Sequence, residues 1–217
     1  EDVWEGRIGN LWGAGFQPGW VDFDNDGDVD LYVVNDMGEM LHPNVLWRND
    51  GSGRDGEWQF EDVSKLSGSD VAIDGMALAV GDYNLDGFLD FYMTNIGSAV
   101  LLKNSGDGLT FTKEAAITGT EIGFVGGQKR MTWGAMFLDH DNDGDEDLYV
   151  VSGLEFQRNV LLRNEGNGTF VDISSGSGAD DPSWGHGAAF LDYNGDGFLD
   201  IVISNWDHPA SVFRNKC

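Results

Sequence analysis

Oxygen-bearing side chains recur at alternating positions in four short segments, which we call loops 1 to 4 (residues 22–30, 82–90, 139–147 and 192–200). Asp stands at positions 1, 5 and 9, Asp or Asn at position 3, and Gly at position 6. Donors at positions 1, 3 and 5 can converge if the chain turns sharply after position 5, which Gly permits. The donors are Asp22, Asp24, Asp26 and Asp30; Asp82, Asn84, Asp86 and Asp90; Asp139, Asp141, Asp143 and Asp147; and Asp192, Asn194, Asp196 and Asp200.

This donor set favours calcium over other metals. Ca²⁺ takes about 6 to 8 oxygens and tolerates irregular geometry, whereas Mg²⁺ demands a near-octahedral site. Soft ligands, which zinc or copper would favour, are missing from the pattern. Four Ca²⁺ sites are therefore predicted, with metal binding coupled to folding. Position 7 would add a main-chain carbonyl from Asp28, Phe88, Asp145 and Phe198.

Two other readings of these loops are weaker. An EF-hand would need a bidentate Glu at position 12 and a following helix, but position 12 is Val33, Met93, Val150 or Ile203 and a strand pattern follows. Solvated turns also favour Asp, Asn and Gly. A turn needs only one or two such residues, so four donors in every copy favour a metal site.

The loops belong to a longer internal repeat. Their first Asp recurs after 60, 57 and 53 residues, between a Gly-rich apolar stretch and a short β-branched or aromatic run. A second apolar run ends in a basic residue and Asn, and three copies continue with a Gly-rich turn and a strand beginning at Phe60, Phe111 or Phe170. This pattern predicts an all-β, propeller-like array of four blades, each of about four antiparallel strands with one calcium loop.

We predict one domain over residues 1–217, with repeats at approximately 5–64, 65–116, 117–175 and 176–217. The fourth repeat stops before its last strand, whereas residues 1–4 match residues 61–64. Residues 1–4 are therefore a candidate closing strand for the last blade, within one chain or between chains. The alternative is that the chain is a piece of a longer repeat array, cut at this point within a repeat.

The loop pattern D-[FYH]-[DN]-x-D-G-x-x-D, with the downstream [RK]-N, G-x-G and Phe-x-[DE]-Val elements, resembles the FG-GAP and VCBS repeats. Such repeats build integrin α-subunit propellers and many secreted bacterial proteins. The resemblance implies a β-propeller with one calcium per blade, extracellular or secreted, at the cell surface or in the periplasm. Propellers of this kind typically have seven blades, so four repeats are few. Since the family spans adhesion, carbohydrate binding and enzyme-attached domains, fold alone does not decide function.

Charge excludes several partners. The chain carries 38 acidic and 12 basic residues, a formal net charge of −26. This argues against binding nucleic acid or an anionic membrane surface, both of which need clustered Lys and Arg. No apolar run is long enough to span a membrane. The single cysteine, Cys217, allows no internal disulfide, and the start at Glu1 suggests a processed or excised piece.

Catalysis is not predicted. His42 and His208 both precede Pro and suit turns, and His186 has no evident partner base or nucleophile. His140, a spacer at position 2 of loop 3, is expected to point to solvent. Known hydrolase, zinc-protease and phosphate-loop motifs are missing from the sequence. The carboxylates that could act as acid or base are mostly assigned to calcium.

Features outside the repeat suggest binding. The connection 118–130 holds Lys129 and Arg130 in an otherwise acidic chain. Asn167 begins the one N-x-[ST] sequon, in a predicted tight turn, and is a candidate glycosylation site. Aromatic residues near loop ends can stack on sugars or partner side chains, although Trp133 and Trp184 share a repeat position that favours the core. These tryptophans are Trp12, Trp20, Trp133, Trp184 and Trp206.

These features predict a non-catalytic extracellular calcium-binding propeller that recognises protein or glycan, as in adhesion. One alternative is a structural subunit of an extracellular filament or assembly, a homo-oligomer joined by exchange of the N-terminal strand and crosslinked through Cys217. A second is an accessory propeller of a polysaccharide-active enzyme.

Overall fold

Short apolar runs separated by Gly and Asp turns form antiparallel sheets throughout the computed structural model, which describes residues 13–53, 56, 58–206 and 208–216. Within this part the structure is all-β apart from two helical turns, as the repeat pattern predicts. Residues 1–4, Trp12 and Cys217, which carry the closing-strand, stacking and crosslinking predictions, lie outside it.

Sheets 1 and 2 have the same topology, four strands hydrogen-bonded in sequence order. Sheet 1 consists of β1 (Ala14–Val21), β2 (Asp30–Asp36), β3 (Val45–Ser52) and β4 (Trp58–Asp62). After the one-turn helix α1 (Ser64–Ser67), sheet 2 consists of β5 (Leu78–Gly81), β6 (Asp90–Met93), β7 (Val100–Asn104) and β8 (Phe111–Lys113).

A second helical turn and a hairpin separate sheets 2 and 3. These are α2 (Ala115–Thr118) and the strands β9 (Phe124–Val125) and β10 (Gln128–Lys129), which turn at Gly126 and Gly127. Sheet 3 consists of β11 (Thr132–Leu138), β12 (Asp147–Ser152), β13 (Val160–Asn164) and β14 (Phe170–Asp172). Sheet 4 has three strands in the described part: β15 (Gly185–Leu191), β16 (Asp200–Asn205) and β17 (Ser211–Phe213).

The hydrophobic core is divided into three clusters, each between consecutive sheets. Tyr32 of sheet 1 packs against Phe91 of sheet 2 with ring centroids 4.8 Å apart. Tyr92 lies in the cluster between sheets 2 and 3, and Tyr149 in the cluster between sheets 3 and 4. Because each sheet buries one face on the next, the repeats stabilise one another.

The buried tyrosines also hold the connections between sheets. The hydroxyl of Tyr32 donates to the carbonyl of Ser69 at 2.8 Å, and Tyr149 donates to Ala179 at 2.5 Å. Tyr92 donates likewise to the carbonyl of Thr120. Each tyrosine can therefore be buried without leaving its hydroxyl unpaired, because the hydroxyl has an acceptor.

The first strand of each sheet lies on the inner side of the curved array that the sheets form. Phe16 on β1 contacts Trp133 on β11 at 5.5 Å, although sheet 2 lies between them in sequence. Trp133 stacks on His186 at 4.5 Å, and His186 stacks on Trp206 at 5.1 Å. Trp133 and Trp184 are half-buried, with buried indole nitrogens, but neither belongs to the three inter-sheet clusters, so the core prediction for them holds only in part.

Candidate metal centres

All four loops occupy the same place in their sheets, between the first and second strands. Position 1 directly follows the first strand, and position 9 is the first residue of the second strand. Position 9 pairs with the last residue of the first strand, as in Val21 with Asp30 and Leu138 with Asp147. The repeat therefore brings the loops to one edge of the array.

Two left-handed residues curl each loop. Position 4 has φ between 56° and 74° at Asn25, Leu85, Asn142 and Gly195. Position 6 is always Gly, with φ between 89° and 95°. A Cβ at these four glycines would meet nothing within 4 Å, so the backbone conformation, rather than space, requires Gly.

Hydrogen bonds wrap the main chain around the carboxylates. Asp22 accepts the amide of Gly27 at 3.1 Å, and Asp82 accepts the amide of Gly87 at 2.8 Å. Asp139 and Asp192 make the same bond to the glycines of loops 3 and 4. Position 5 accepts the amide of position 7, which holds the main chain of position 7 close to the carboxylate group.

The position 9 carboxylates are buried. Asp30, Asp90 and Asp147 are fully buried and Asp200 is 3% exposed. One oxygen of each accepts a main-chain amide from the Asn that follows the third-strand apolar run, at 2.8 Å in every sheet. Burial raises the pKa of Asp30 to about 6 and that of Asp90 to about 8.

A hard cation fits these donors. Carboxylate oxygens of Asp22, Asp24 and Asp30 lie within 4.8 Å of one another, as do those of Asp139, Asp141 and Asp143. Oδ1 of Asp22 and Asp141 and Oδ2 of Asp90 are buried without a hydrogen-bond partner. An unpartnered buried carboxylate oxygen is costly, and a cation would supply the missing partner. The oxygen-rich donor set suits calcium.

The structure corrects the prediction that His140 of loop 3 points to solvent. Its side chain is only 12% exposed, and its Nδ1 contacts Oδ2 of Asp147. This hydrogen bond raises the pKa of His140. The prediction is wrong because position 2 turns into the inter-sheet core, where Phe23 and Tyr83 stand in loops 1 and 2.

The other predicted binding residues are mainly exposed at the surface. Trp20 and Trp206 are exposed, at 62% and 70%. Arg130 donates to the carbonyl of Arg158 at 2.7 Å, and Lys129 lies exposed beside it. Asn167 is exposed in the turn before β14, where its Oδ1 accepts the amide of Thr169 at 3.0 Å.

Sequence reasoning missed a contact between loops. The Asn after the third apolar run was visible in the repeat, but its function was not assigned. The side-chain amides of Asn104 and Asn164 reach back to the carbonyls of Phe23 and Tyr83, in the preceding loop. These partners are 81 residues apart, so spacing within one repeat could not reveal them.

We expect the metal-free protein to become more stable as the pH falls from about 8 towards 4. The raised pKa values of Asp30 and Asp90 mean that the folded chain binds more protons than the unfolded chain, whose carboxyls titrate near 3.8. Their contribution is complete below the unfolded pKa and is lost as the pH rises through about 6 and about 8. Urea unfolding midpoints in calcium-free buffer at about pH 5 and about pH 8 test this. A lower midpoint at the acidic pH would contradict it.

Known proteins share the repeats of this chain. The sequence profile described as FG-GAP-like repeat matches three overlapping segments, residues 22–93, 82–150 and 139–203. Cartilage acidic protein 1 of Xenopus tropicalis is 28% identical over 214 residues, covering 88% of this chain and 31% of the relative. The Homo sapiens protein of the same name is 25% identical over 211 residues, covering 88% and 30%.

The chain thus spans about a third of the length of these relatives. A solved structure titled BBS1N in complex with ARL6DN, soaked with lead, matches 96% of this chain and 56% of its own, with a TM-score of 0.58 and 12% identity. At that identity the likeness concerns the fold alone. In the described part, neither helix is long and apolar enough to cross a membrane.

Proposed function

The chain belongs to the FG-GAP-like repeat family, and on this premise we propose that it is a non-catalytic extracellular module of the β-propeller type. It binds one Ca²⁺ in each of its four loops and presents a surface that recognises protein or glycan. The observation that carries this proposal is the fourfold recurrence of one loop geometry, with buried carboxylate oxygens that lack partners in loops 1, 2 and 3.

The residues of each loop have distinct tasks. Side chains at positions 1, 3, 5 and 9 would hold the ion, together with the main-chain carbonyl of position 7. Bound calcium would neutralise the crowded carboxylates, and four ions would change the formal charge from −26 to −18 (−26 + 4 × 2). The glycines at position 6 and the asparagines after the third apolar run keep the donors in place.

An extracellular location is supported by the relatives. They bear the name cartilage acidic protein 1, and this chain is itself acidic, with a formal net charge of −26. Millimolar extracellular calcium suits weak, oxygen-rich sites. We therefore place the module outside the cell.

Exposed aromatic and basic groups supply the recognition surface. Trp206 ends the aromatic row of Phe16, Trp133 and His186, and leaves a broad ring face in solvent. The β9–β10 hairpin carries Phe124, 61% exposed, next to Lys129. Exposed aromatic rings next to polar groups suit stacking on a sugar or on a protein side chain.

Isothermal titration with CaCl₂ tests the metal assignment. We expect four Ca²⁺ per chain, and about three after Asp86→Ala, which removes the position 5 donor of loop 2. Asp107→Ala, which removes an exposed carboxylate in the β7–β8 turn, is the matched control and should leave the count at four. Absence of binding at millimolar calcium would refute the proposal.

A structural subunit is the second candidate, favoured by the outer face of sheet 4. Val212 and Val202 are 60% and 40% exposed there, whereas Leu46 and Tyr32, at the equivalent positions of sheet 1, are fully buried. In sheets 1 to 3 the same face is covered by the next sheet. Light scattering in millimolar calcium tests this: a mass well above 23.7 kDa favours assembly, and a mass near that value excludes it.

A further inference from the structure

One asparagine in each of sheets 2 to 4 touches two metal loops at once. In sheet 2, the main-chain amide of Asn104 donates to Oδ1 of Asp90, a donor of loop 2, at 2.8 Å. Its side-chain Nδ2 donates at 2.8 Å to the carbonyl of Phe23, at position 2 of loop 1. Asn104 is fully buried, so neither bond is exchanged readily with water.

The same bridge recurs in the next two sheets. Asn164 joins Asp147 of loop 3, at 2.8 Å, to the carbonyl of Tyr83 in loop 2, at 2.7 Å. Asn215 joins Asp200 of loop 4, at 2.8 Å, to the carbonyl of His140 in loop 3, at 2.6 Å. Three repeats of one geometry make the bridge a property of the fold.

A second link joins some of the loops directly. Nδ2 of Asn25, at position 4 of loop 1, donates to the carbonyl of Gly87 in loop 2 at 3.0 Å. Asn142 of loop 3 makes the equivalent bond to Gly197 of loop 4 at 2.9 Å. Position 4 of loop 2 is Leu85, which has no side-chain amide to donate. Loops 1 and 2, and loops 3 and 4, are therefore joined by two asparagine bonds, and loops 2 and 3 by one.

We propose that Ca²⁺ binding at neighbouring loops is positively cooperative and that Asn104, Asn164 and Asn215 are the positioning residues that couple them. The inference rests on the proposed calcium function. A bound ion fixes the position 9 Asp and, through the shared Asn, the main chain of the preceding loop. The preceding loop then loses less conformational entropy when it binds its own ion. Reciprocity requires the same coupling in both directions.

Sheet 1 supplies a matched control. Asn49 makes the same bonds within its sheet as Asn104, with its amide on Asp30 at 2.8 Å and its side chain on the carbonyl of Val29 at 3.1 Å. Within the described residues its hydrogen bonds stay inside sheet 1. Asn49→Ala therefore removes only side-chain bonds within the sheet. Asn104→Ala removes the equivalent side-chain bonds and also the bridge to the preceding sheet.

The test is a calcium titration followed by tryptophan fluorescence and calorimetry, on the whole chain and on each variant. We expect a wild-type curve steeper than independent sites allow, with a coupling factor of about 5 or more between neighbours. Asn104→Ala should reduce that factor towards 1 for loops 1 and 2. Asn49→Ala should weaken binding while keeping the steepness. Equal steepness in the two variants would overturn the proposal.

A milder variant keeps the test decisive if Asn104→Ala fails to fold. Asn25 is exposed and has φ of 58°, a conformation that Gly adopts without strain, so Asn25→Gly removes only the donor. We expect lower cooperativity between loops 1 and 2, and unchanged cooperativity between loops 3 and 4. Four independent wild-type sites would refute the coupling alone, whereas no calcium binding at all would refute the proposed function.

Discussion

Removing calcium with excess EDTA is expected to lower the thermal midpoint of the chain more than any single substitution does. A ligand at about 100 times its Kd stabilises the folded state by about 2.7 kcal/mol per site, so four filled loops contribute about 11 kcal/mol. That is as large as the whole stability of a typical domain, about 5–15 kcal/mol. The metal-free loops also retain crowded, partly buried carboxylates in a chain of net charge −26.

Differential scanning calorimetry and near-ultraviolet circular dichroism would follow this loss. EDTA already saturated with calcium is the control for the chelator itself, and it should leave the transition unchanged. Restoring free calcium should restore the transition, while equal Mg²⁺ should restore less, because Mg²⁺ demands near-ideal octahedral geometry and loses its water reluctantly. Identical transitions with and without the chelator would show that the carboxylates are tolerated without metal.

Local features of the fold were accessible from sequence because their causes are local. The loop is specified by Asp at positions 1 and 9 and by Gly at position 6, where φ near 90° excludes other residues. The β-branched and aromatic runs after each loop form strands because they suit a half-buried pleated surface. One copy of this pattern would be weak evidence, but four copies in the same phase predict the whole array.

Features that depend on neighbouring sheets could not be predicted from the sequence. The position 2 side chain of loop 3 is directed by the core between sheets 3 and 4, so His140 could not be placed from its own loop. The helical turns α1 and α2 are four residues long, too short to show a helical period, and each ends at a left-handed Gly. The amide of Asn164 finds its acceptor 81 residues earlier, on another sheet.

Asp30→Ala is expected to be the most destabilising single substitution in loop 1 in the presence of calcium. The Asp30 carboxylate is fully buried and accepts the main-chain amides of Phe23 at 3.0 Å and Asn49 at 2.8 Å. Alanine would leave both donors buried without a partner, at about 1–3 kcal/mol each. Loss of one calcium site adds about 2.7 kcal/mol at saturation. The expected loss in unfolding free energy is therefore about 5 kcal/mol or more.

Asp28→Ala is the control at position 7, where the main-chain carbonyl, rather than the side chain, is assigned to the metal. Loops 2 and 4 carry Phe at this position, so the carboxylate is dispensable there and the expected change is below about 1 kcal/mol. Measuring both variants by urea unfolding, in calcium and in chelator, separates the two contributions to the Asp30 effect. The part due to the two amides persists in chelator, whereas the part due to calcium disappears. Equal losses for Asp28→Ala and Asp30→Ala in calcium would mean that position 9 does not hold the ion.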